Sequence, residues 1–453
     1  MQQLTTAQRS YVRRVAGVAA LGGLLFGYDT GVMSGALLYI TPEFQLTPGQ
    51  EGLVTSMLLV GAAIGALSGG SIADRLGRKR TLIIGGLVFI AGSLWCALAG
   101  SVGALAAART FLGLGVGGVS IVAPMYISEM VPARVRGKMV SLNTLMIVVG
   151  QLLAYSVNSA LASTGSWQLM LGLAAVPGAA LAIGMVFLPE TPLWLARHQR
   201  LDAALTIGDR VGMTREELTL ETAEDTELRA QRGGEWARLR NVRWLRMTVL
   251  IAALLGITQQ VTGVNAIVYF APTMMSKVGL STENAVYTSM VIGLVSVVAC
   301  WVGLQVIDKI GRKRLLLIGL SGNVIFLFAL TLTYRAAENN AALAWVSLAC
   351  MALFIASQQA AVSPTTWLLI SELVPPQIRG AGMGLAGLAL WVMNWAVAQF
   401  FLPLVDALSA TTTFSIFIIC GILAVGFVRS FVPETMNRSL DEVASEMEQR
   451  YTK

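Results

Sequence analysis

The sequence predicts an all-α membrane protein with the major facilitator layout: twelve transmembrane helices in two pseudo-symmetric six-helix halves. Of its 453 residues, 55% are hydrophobic and only 13% are charged, whereas a soluble domain carries about 25% charged residues. The charges lie between apolar runs of about 20 residues, the length of helix that crosses about 30 Å of hydrocarbon. Short phrases also recur in the same order along the chain.

Three phrases are repeated. DRLGRKR at 74–80 returns as DKIGRKR at 308–314, SEMVPARVRG at 128–137 as SELVPPQIRG at 371–380, and LPET at 188–191 as VPET at 432–435. The spacing between copies is nearly constant, so one half duplicates the other. Each phrase lies at the polar edge of an apolar run, which indicates that the duplicated unit is a bundle of membrane helices.

The twelve spans, numbered in chain order, are expected near 14–40, 51–73, 81–100, 104–127, 139–162, 167–188, 246–272, 285–307, 314–335, 343–370, 381–404 and 411–432. The resulting division is an N-terminal bundle at 1–189, a cytoplasmic linker of amphipathic helices at 190–244, a C-terminal bundle at 245–432 and a tail at 433–453. Lys and Arg collect in the loops of one side, which the positive-inside rule assigns to the cytoplasm. Both termini are expected on that side. The protein is expected to be a multi-pass protein of the cell (inner or plasma) membrane.

Several other function classes are disfavoured. The net charge of +7 comes from basic residues beside the spans and does not indicate a nucleic-acid partner. The cysteines lie inside apolar runs without metal-ligand spacing, and His198 is the only histidine, so no metal site is expected. Gly113–Gly118 fits G-x-G-x-x-G but lies inside a span, where close helix packing explains it better than nucleotide binding. The chain is therefore not expected to be an enzyme.

Six plus six helices in two related halves are the layout of a secondary transporter, with a site near mid-membrane. The repeated phrases, with PMYISEMVPARVRG after span 4, QQVTGVNAIVYFAP in span 7 and VPETMNRSLDEV near the end, resemble the sugar porters of the major facilitator superfamily. The resemblance implies sugar transport by alternating access, no cofactor, and the proton gradient as the driving force. The expected partners are a small neutral sugar or polyol, protons and the lipid bilayer, with the monomer as the working unit.

Asp29 is an acid in the middle of span 1, and Arg109 lies about 8 Å below the outer end of span 4 at 1.5 Å per residue. An intramembrane carboxylate is costly without a partner and marks a functional site. We expect the two to form a pair that protonation of Asp29 releases, which would couple transport to protons. In the family, the matching Asp and Arg carry this coupling. The alternative is a static buried ion pair.

A second set of charges recurs at the cytoplasmic helix ends of both halves. Since Asp and Glu contribute little to membrane topology, their repetition favours salt bridges between helices that close the inner side, as the family resemblance also implies. The predicted cytoplasmic gate comprises Asp74, Arg75, Arg78, Glu129, Arg136 and Glu190, and then Asp308, Arg312, Glu372, Arg379 and Glu434.

Polar side chains inside the spans outline a substrate path. Amides both donate and accept hydrogen bonds, as a hydroxyl does, and Trp offers a flat apolar face to a sugar ring. The predicted substrate-binding residues are Gln151, Gln259, Gln260, Asn265, Tyr269, Trp367, Trp391 and Asn394. Gly263 and Pro272 mark places where span 7 can break or bend. The alternative is amide contacts that only hold helices together, with Trp at the lipid interface.

The sequence departs from the residues usual in the family at Ser296, Leu390 and Ser363. These departures leave fewer hydrogen-bonding groups around the cargo in the second half. A hexose or pentose therefore competes with a cyclitol of the myo-inositol type as the expected cargo. The leading hypothesis is a proton-coupled importer of a monosaccharide or related polyol. A facilitative uniporter, a membrane sugar sensor and an exporter of drugs or organic cations remain as rivals.

Overall fold

The computed structural model describes residues 4–220, 222–223, 234–337 and 342–452, and these residues form helices and connecting turns. Twelve helical segments among them are long and apolar enough to cross a membrane, as the sequence predicts. Spans 1 to 12 are Thr6–Phe44, Pro48–Leu76, Arg78–Ala97, Val102–Met130, Val135–Ala160, Trp167–Val186, Arg243–Lys277, Thr282–Ile310, Arg312–Ala337, Leu343–Leu373, Pro376–Leu408 and Ala410–Phe431.

Four of the described spans are not continuous α-helices. Span 11 begins with a 3₁₀-helix at Pro376–Ile378 before the α-helix Arg379–Leu408. Span 6 consists of Trp167–Gly172 and Ala175–Val186. Span 7 consists of Arg243–Val261 and Val264–Lys277, and a π-helix at Gln358–Val362 interrupts span 10. Irregular backbone is tolerated at membrane depth where protein or a water-filled cavity surrounds it. Spans 7 and 10 are therefore the places to look for a site.

Shorter helices lie outside the spans. They include Pro192–Arg197, Leu201–Val211, Glu235–Asn241 and Leu440–Tyr451. The helix Leu201–Val211 buries Ala204, Gly208 and Val211 along one side, in keeping with the predicted amphipathic linker. Residues 221 and 224–233 of that linker lie outside the described residues. The tail helix begins with a Ser439–Glu442 capping box and buries Val443 and Met447.

The chain divides into two compact units. The first is drawn from Met1–Val32, Met57–Ala154 and Ser166–Arg229, and the second from Met33–Ser56, Tyr155–Gly165 and Ala230–Lys453. The ends of spans 1, 2 and 5 that the sequence places outside thus belong to the second unit. The four-part division at 189, 244 and 432 stays a prediction.

Span 1 packs against span 5 through a line of glycines. A Cβ at Gly23, Gly27 or Gly31 would fall within 3 Å of the Asn143, Ile147 and Gln151 carbonyl oxygens of span 5, respectively. Small residues four apart let two backbones approach this closely. Spans 2 and 4 meet in the same way, with Gly61 and Gly113 against each other's helices. This confirms the helix-packing interpretation of the glycine phrase in span 4.

We predict that Gly27→Ala lowers the melting temperature of the detergent-purified protein, because its new methyl group would overlap the backbone of span 5. Overpacking of this kind costs about 1–3 kcal/mol. Gly17→Ala on the same helix is the control, since no neighbouring atom lies within 4 Å of its added Cβ. Equal melting temperatures for the two variants would contradict the packing described here.

Candidate functional site

Asp29 and Arg109 form a buried ion pair in the first unit. Arg109 Nη1 donates to Asp29 Oδ1 at 2.5 Å, and the side chains are 0% and 1% exposed, respectively. Asp29 Oδ2 has no hydrogen-bond partner among the residues that the structure describes. A buried charge left without its partner costs several kcal/mol. The contact expected from the sequence is therefore confirmed, and its role in proton coupling stays a prediction.

Gln151 of span 5 reaches the residue next to Asp29. Its Nε2 donates to Thr30 Oγ1 at 3.3 Å, and Thr30 Oγ1 donates to the Gly27 carbonyl at 2.9 Å. All of these groups belong to the first unit. The sequence analysis did not select Thr30, although a hydroxyl beside an intramembrane acid was a usable signal. The predicted substrate residue Gln151 thus contacts Thr30, the residue next to the predicted proton acceptor Asp29 in span 1.

Span 7 breaks at Gly263, as the sequence predicts. Gly263 has φ 85°, and a Cβ there would meet the Phe417 ring at 2.7 Å. Both the left-handed backbone and the close ring therefore require glycine. At Pro272 the helix instead continues. Because proline has no N–H, the Val268 carbonyl loses its usual partner, and Tyr155 Oη donates to it at 3.3 Å.

The broken turn carries a cluster of amides in the second unit. Asn265 Nδ2 donates to Gln260 Oε1 and to Asn394 Oδ1, at 2.7 Å each. The side chain Oε1 of Gln259 is buried and has no hydrogen-bond partner within the described ranges. Such an acceptor can receive a hydrogen bond from a hydroxyl. The structure therefore brings Gln260, Asn265 and Asn394 together, and their role in substrate binding stays a prediction.

The other predicted substrate residues have different surroundings. Tyr269 and Trp391 are buried, whereas Trp367 is 41% exposed. The buried side of its helix includes Thr365, Thr366 and Leu369. Gln151 belongs to the first unit, and the remaining predicted substrate residues belong to the second.

The charge network of the first unit is centred on Arg78, which begins span 3. Its guanidinium lies 2.9 Å from Glu129 and 3.1 Å from Asp74. Glu129 also accepts from Thr191 Oγ1 at 2.6 Å. Glu190 accepts backbone N–H groups from Arg78, Lys79 and Thr191. Burial raises the pKa of the Glu190 carboxyl, and these N–H groups and the Arg78 charge offset only part of that rise.

The second unit repeats the arrangement with looser contacts. Arg312 lies 3.0 Å from Asp308 and 3.6 Å from Glu372, which accepts from Thr435 Oγ1 at 2.5 Å. Glu434 accepts the backbone N–H groups of Arg312 and Lys313. The Arg312 side chain is 15% exposed, compared with 2% for Arg78.

Three predicted gate residues remain, and they differ in exposure. Arg75 and Arg379 are exposed, and Arg136 is half-buried in span 5. Arg379 Nη2 donates to the Ser371 carbonyl. Conversely, the sequence analysis did not select Thr191 and Thr435, although both stand in the repeated Pro-Glu-Thr phrase. Each described network joins helices of one unit, and the gate function stays a prediction.

We predict that Glu129→Gln lowers the melting temperature more than Glu372→Gln does. Removing one partner of a buried ion pair costs about 3–5 kcal/mol. The Arg312–Glu372 pair is longer and less buried than the Arg78–Glu129 pair, so its loss should cost less. Thermal unfolding of both purified variants measures the difference, with the wild type alongside. An equal or reversed order would contradict the claim that the more deeply buried first network contributes more to stability.

Comparison with known proteins agrees with this architecture. The family model for "Sugar (and other) transporter" matches residues 15–447. The chain is 37% identical to the major myo-inositol transporter IolT of Bacillus subtilis, over 96% of this chain and 94% of the relative. It is 38% identical to the arabinose-proton symporter of Escherichia coli K12, over 95% and 92%.

The chain is also similar to a solved structure of XylE, a proton:xylose symporter of the major facilitator superfamily, bound to 6-bromo-6-deoxy-D-glucose. The two structures align with a TM-score of 0.80 and 29% identity, over 97% of this chain and all of that one. The match to the family model, the identities above 30% and the twelve spans agree with one another. The chain therefore belongs to the sugar transporter family of the major facilitator superfamily and is a multi-pass membrane protein.

Proposed function

We propose that this protein imports a small neutral sugar or polyol together with protons, by alternating access and without a cofactor. The observation that carries the proposal is the buried Asp29–Arg109 pair. The arabinose-proton symporter and the proton:xylose symporter are relatives whose printed descriptions name both a sugar and a proton. Membership of a transporter family supports a transport role rather than an enzymatic one.

The pair provides a site at which one proton changes the charge of the membrane interior. With Asp29 ionised, its attraction to Arg109 holds spans 1 and 4 together. Burial favours the protonated acid, whereas Arg109 favours the carboxylate. A proton arriving at Asp29 removes the attraction and lowers the cost of moving the two helices apart. Because Gln151 hydrogen-bonds to Thr30, the adjacent turn can carry this change toward bound cargo.

The amides of Gln151, Gln259, Gln260, Asn265 and Asn394 suit an uncharged cargo rich in hydroxyl groups. They donate and accept hydrogen bonds without supplying a net charge. Trp391, Trp367 and Tyr269 would provide aromatic surface for the C–H face of a ring. A hexose or pentose and a cyclitol fit this chemistry equally well. The similarity to a myo-inositol transporter keeps the cyclitol as the second candidate.

The remaining assignments follow from the same proposal. The basic residues beside Asp74 and Asp308 would face the cytoplasm of a cell with both chain termini inside. The two networks around Arg78 and Arg312 would then form the inner gate and rearrange in each transport cycle. The protein would work as a monomer, with lipid and protons as its other partners.

We predict that Asp29→Asn abolishes sugar accumulation in energised membrane vesicles while exchange of sugar across the membrane continues. The amide cannot take up the proton, but it still fills the space beside Arg109. Uptake of radiolabelled D-xylose, L-arabinose, D-glucose and myo-inositol, with and without a proton gradient, measures both activities. Asp406→Asn, at an exposed position near the end of span 11, is the matched control.

Accumulation by Asp29→Asn equal to that of the wild type would refute the coupling assignment. Gradient-independent uptake by the wild type would instead identify a uniporter. Binding of these compounds without transport would indicate a sensor. Uptake of a lipophilic cation, with no competition from any sugar, would indicate an exporter of the drug class.

A further inference from the structure

The break in span 7 separates the Gln259 backbone carbonyl from its usual helical partner in the membrane interior. In a continuous α-helix the Gly263 N–H would bond to the Gln259 carbonyl, but here it bonds to the Gln260 carbonyl at 3.0 Å. The Gln259 carbonyl accepts instead from Thr262 Oγ1 at 3.1 Å and from Gln358 Nε2 at 3.3 Å. A carbonyl left unbonded in a low-dielectric interior would cost several kcal/mol. Gln358 therefore supports the broken turn from a different helix.

Gln358 is itself held by a third helix. It is the first residue of the π-helix in span 10 and is fully buried. Its Oε1 accepts a hydrogen bond from Asn323 Nδ2 of span 9 at 2.5 Å. A chain of hydrogen bonds thus runs from Asn323 through Gln358 to the Gln259 carbonyl. Both ends of the Gln358 amide are occupied, so the orientation of its donor is fixed.

The supported turn carries the side chains that the proposed function assigns to cargo binding. On one side, Asn265 connects Gln260 to Asn394. On the other, Gln358 holds the backbone of Gln259. The bond from Asn265 holds the side chain of Gln260, and the bond from Gln358 holds the backbone of Gln259. Together they restrict the positions of the Gln259 and Gln260 side chains.

We propose that Gln358, oriented by Asn323, is a positioning residue that fixes the broken turn of span 7 and thereby aims the amides of Gln259 and Gln260 at the cargo. The assignment of the cargo rests on the proposed function, whereas the support of the turn does not. Gln358 acts through the backbone of Gln259, so its loss should weaken cargo binding more than it slows the transport cycle.

The test combines transport kinetics with amide hydrogen exchange. For Gln358→Leu we expect the KM of the compound transported best among D-xylose, L-arabinose, D-glucose and myo-inositol to rise about five- to tenfold, which corresponds to one lost hydrogen bond. The maximal rate should stay within about twofold. Amide exchange at 259–267 should quicken in the purified protein. Gln358→Met, with an unbranched side chain, replaces Gln358→Leu if the latter does not fold.

Ser357→Ala is the matched control. Ser357 Oγ donates to the Gly319 carbonyl at 2.8 Å, so this change removes a hydrogen bond between spans 10 and 9 without altering span 7. It should change neither the KM nor the exchange at 259–267. Asn323→Leu should raise the KM, and the double variant with Gln358→Leu should be no worse than Gln358→Leu alone, because the two side chains act in series.

An unchanged KM together with unchanged exchange at 259–267 in Gln358→Leu would overturn the proposal. A loss of maximal rate and melting temperature with normal exchange there would also overturn it, because the residue would then be only structural. If the wild type moves none of the four compounds, the proposed function fails. The exchange measurement then still decides whether Gln358 supports the turn.

Discussion

A carboxylate and a guanidinium that lie out of contact with water are the constraint on which the first unit depends. Neither charge could remain in the membrane interior alone, so spans 1 and 4 must stay together while Asp29 is ionised. The line of glycines around Asp29 brings the same stretch of span 1 against the backbone of span 5. Span 5 carries Gln151, which hydrogen-bonds to Thr30. A change in the charge of Asp29 therefore acts where three helices meet, which is what a coupled carrier needs.

The charge networks around Arg78 and Arg312 have the same arrangement but differ in burial. In both units a glycine with φ near 97–98° precedes a span, and a glutamate from the Pro-Glu-Thr phrase accepts the N–H groups that begin that span. An anion at a helix N-terminus compensates its unsatisfied donors and its dipole. The first copy encloses its arginine, whereas the second leaves Arg312 partly exposed. The copies thus share geometry but differ in burial, so they should contribute unequally to stability.

Much of this architecture could be predicted from the sequence because it follows from length, charge and repetition. Apolar runs predicted the twelve spans, and the repeated phrases predicted the paired networks. A single acid in span 1 and a single arginine in span 4 predicted the Asp29–Arg109 contact. Gln358 and Asn323 could not be found in this way. Each is an isolated amide in an apolar run, and their importance depends on a carbonyl in a third helix that the break at Gly263 separates from its usual helical partner. The exposure of Trp367 and the membership of the ends of spans 1, 2 and 5 in the second unit also depend on packing between distant segments.

The central claim is that cargo and proton cross together through the site at Asp29. Its most direct test is the external pH of a lightly buffered suspension of cells that produce the protein, recorded while the transported sugar or cyclitol is added without another energy source. The account predicts an immediate rise in external pH that a protonophore abolishes. Entry of the labelled compound with no change in external pH would contradict it and would leave a passive carrier in which Asp29 and Arg109 are only structural.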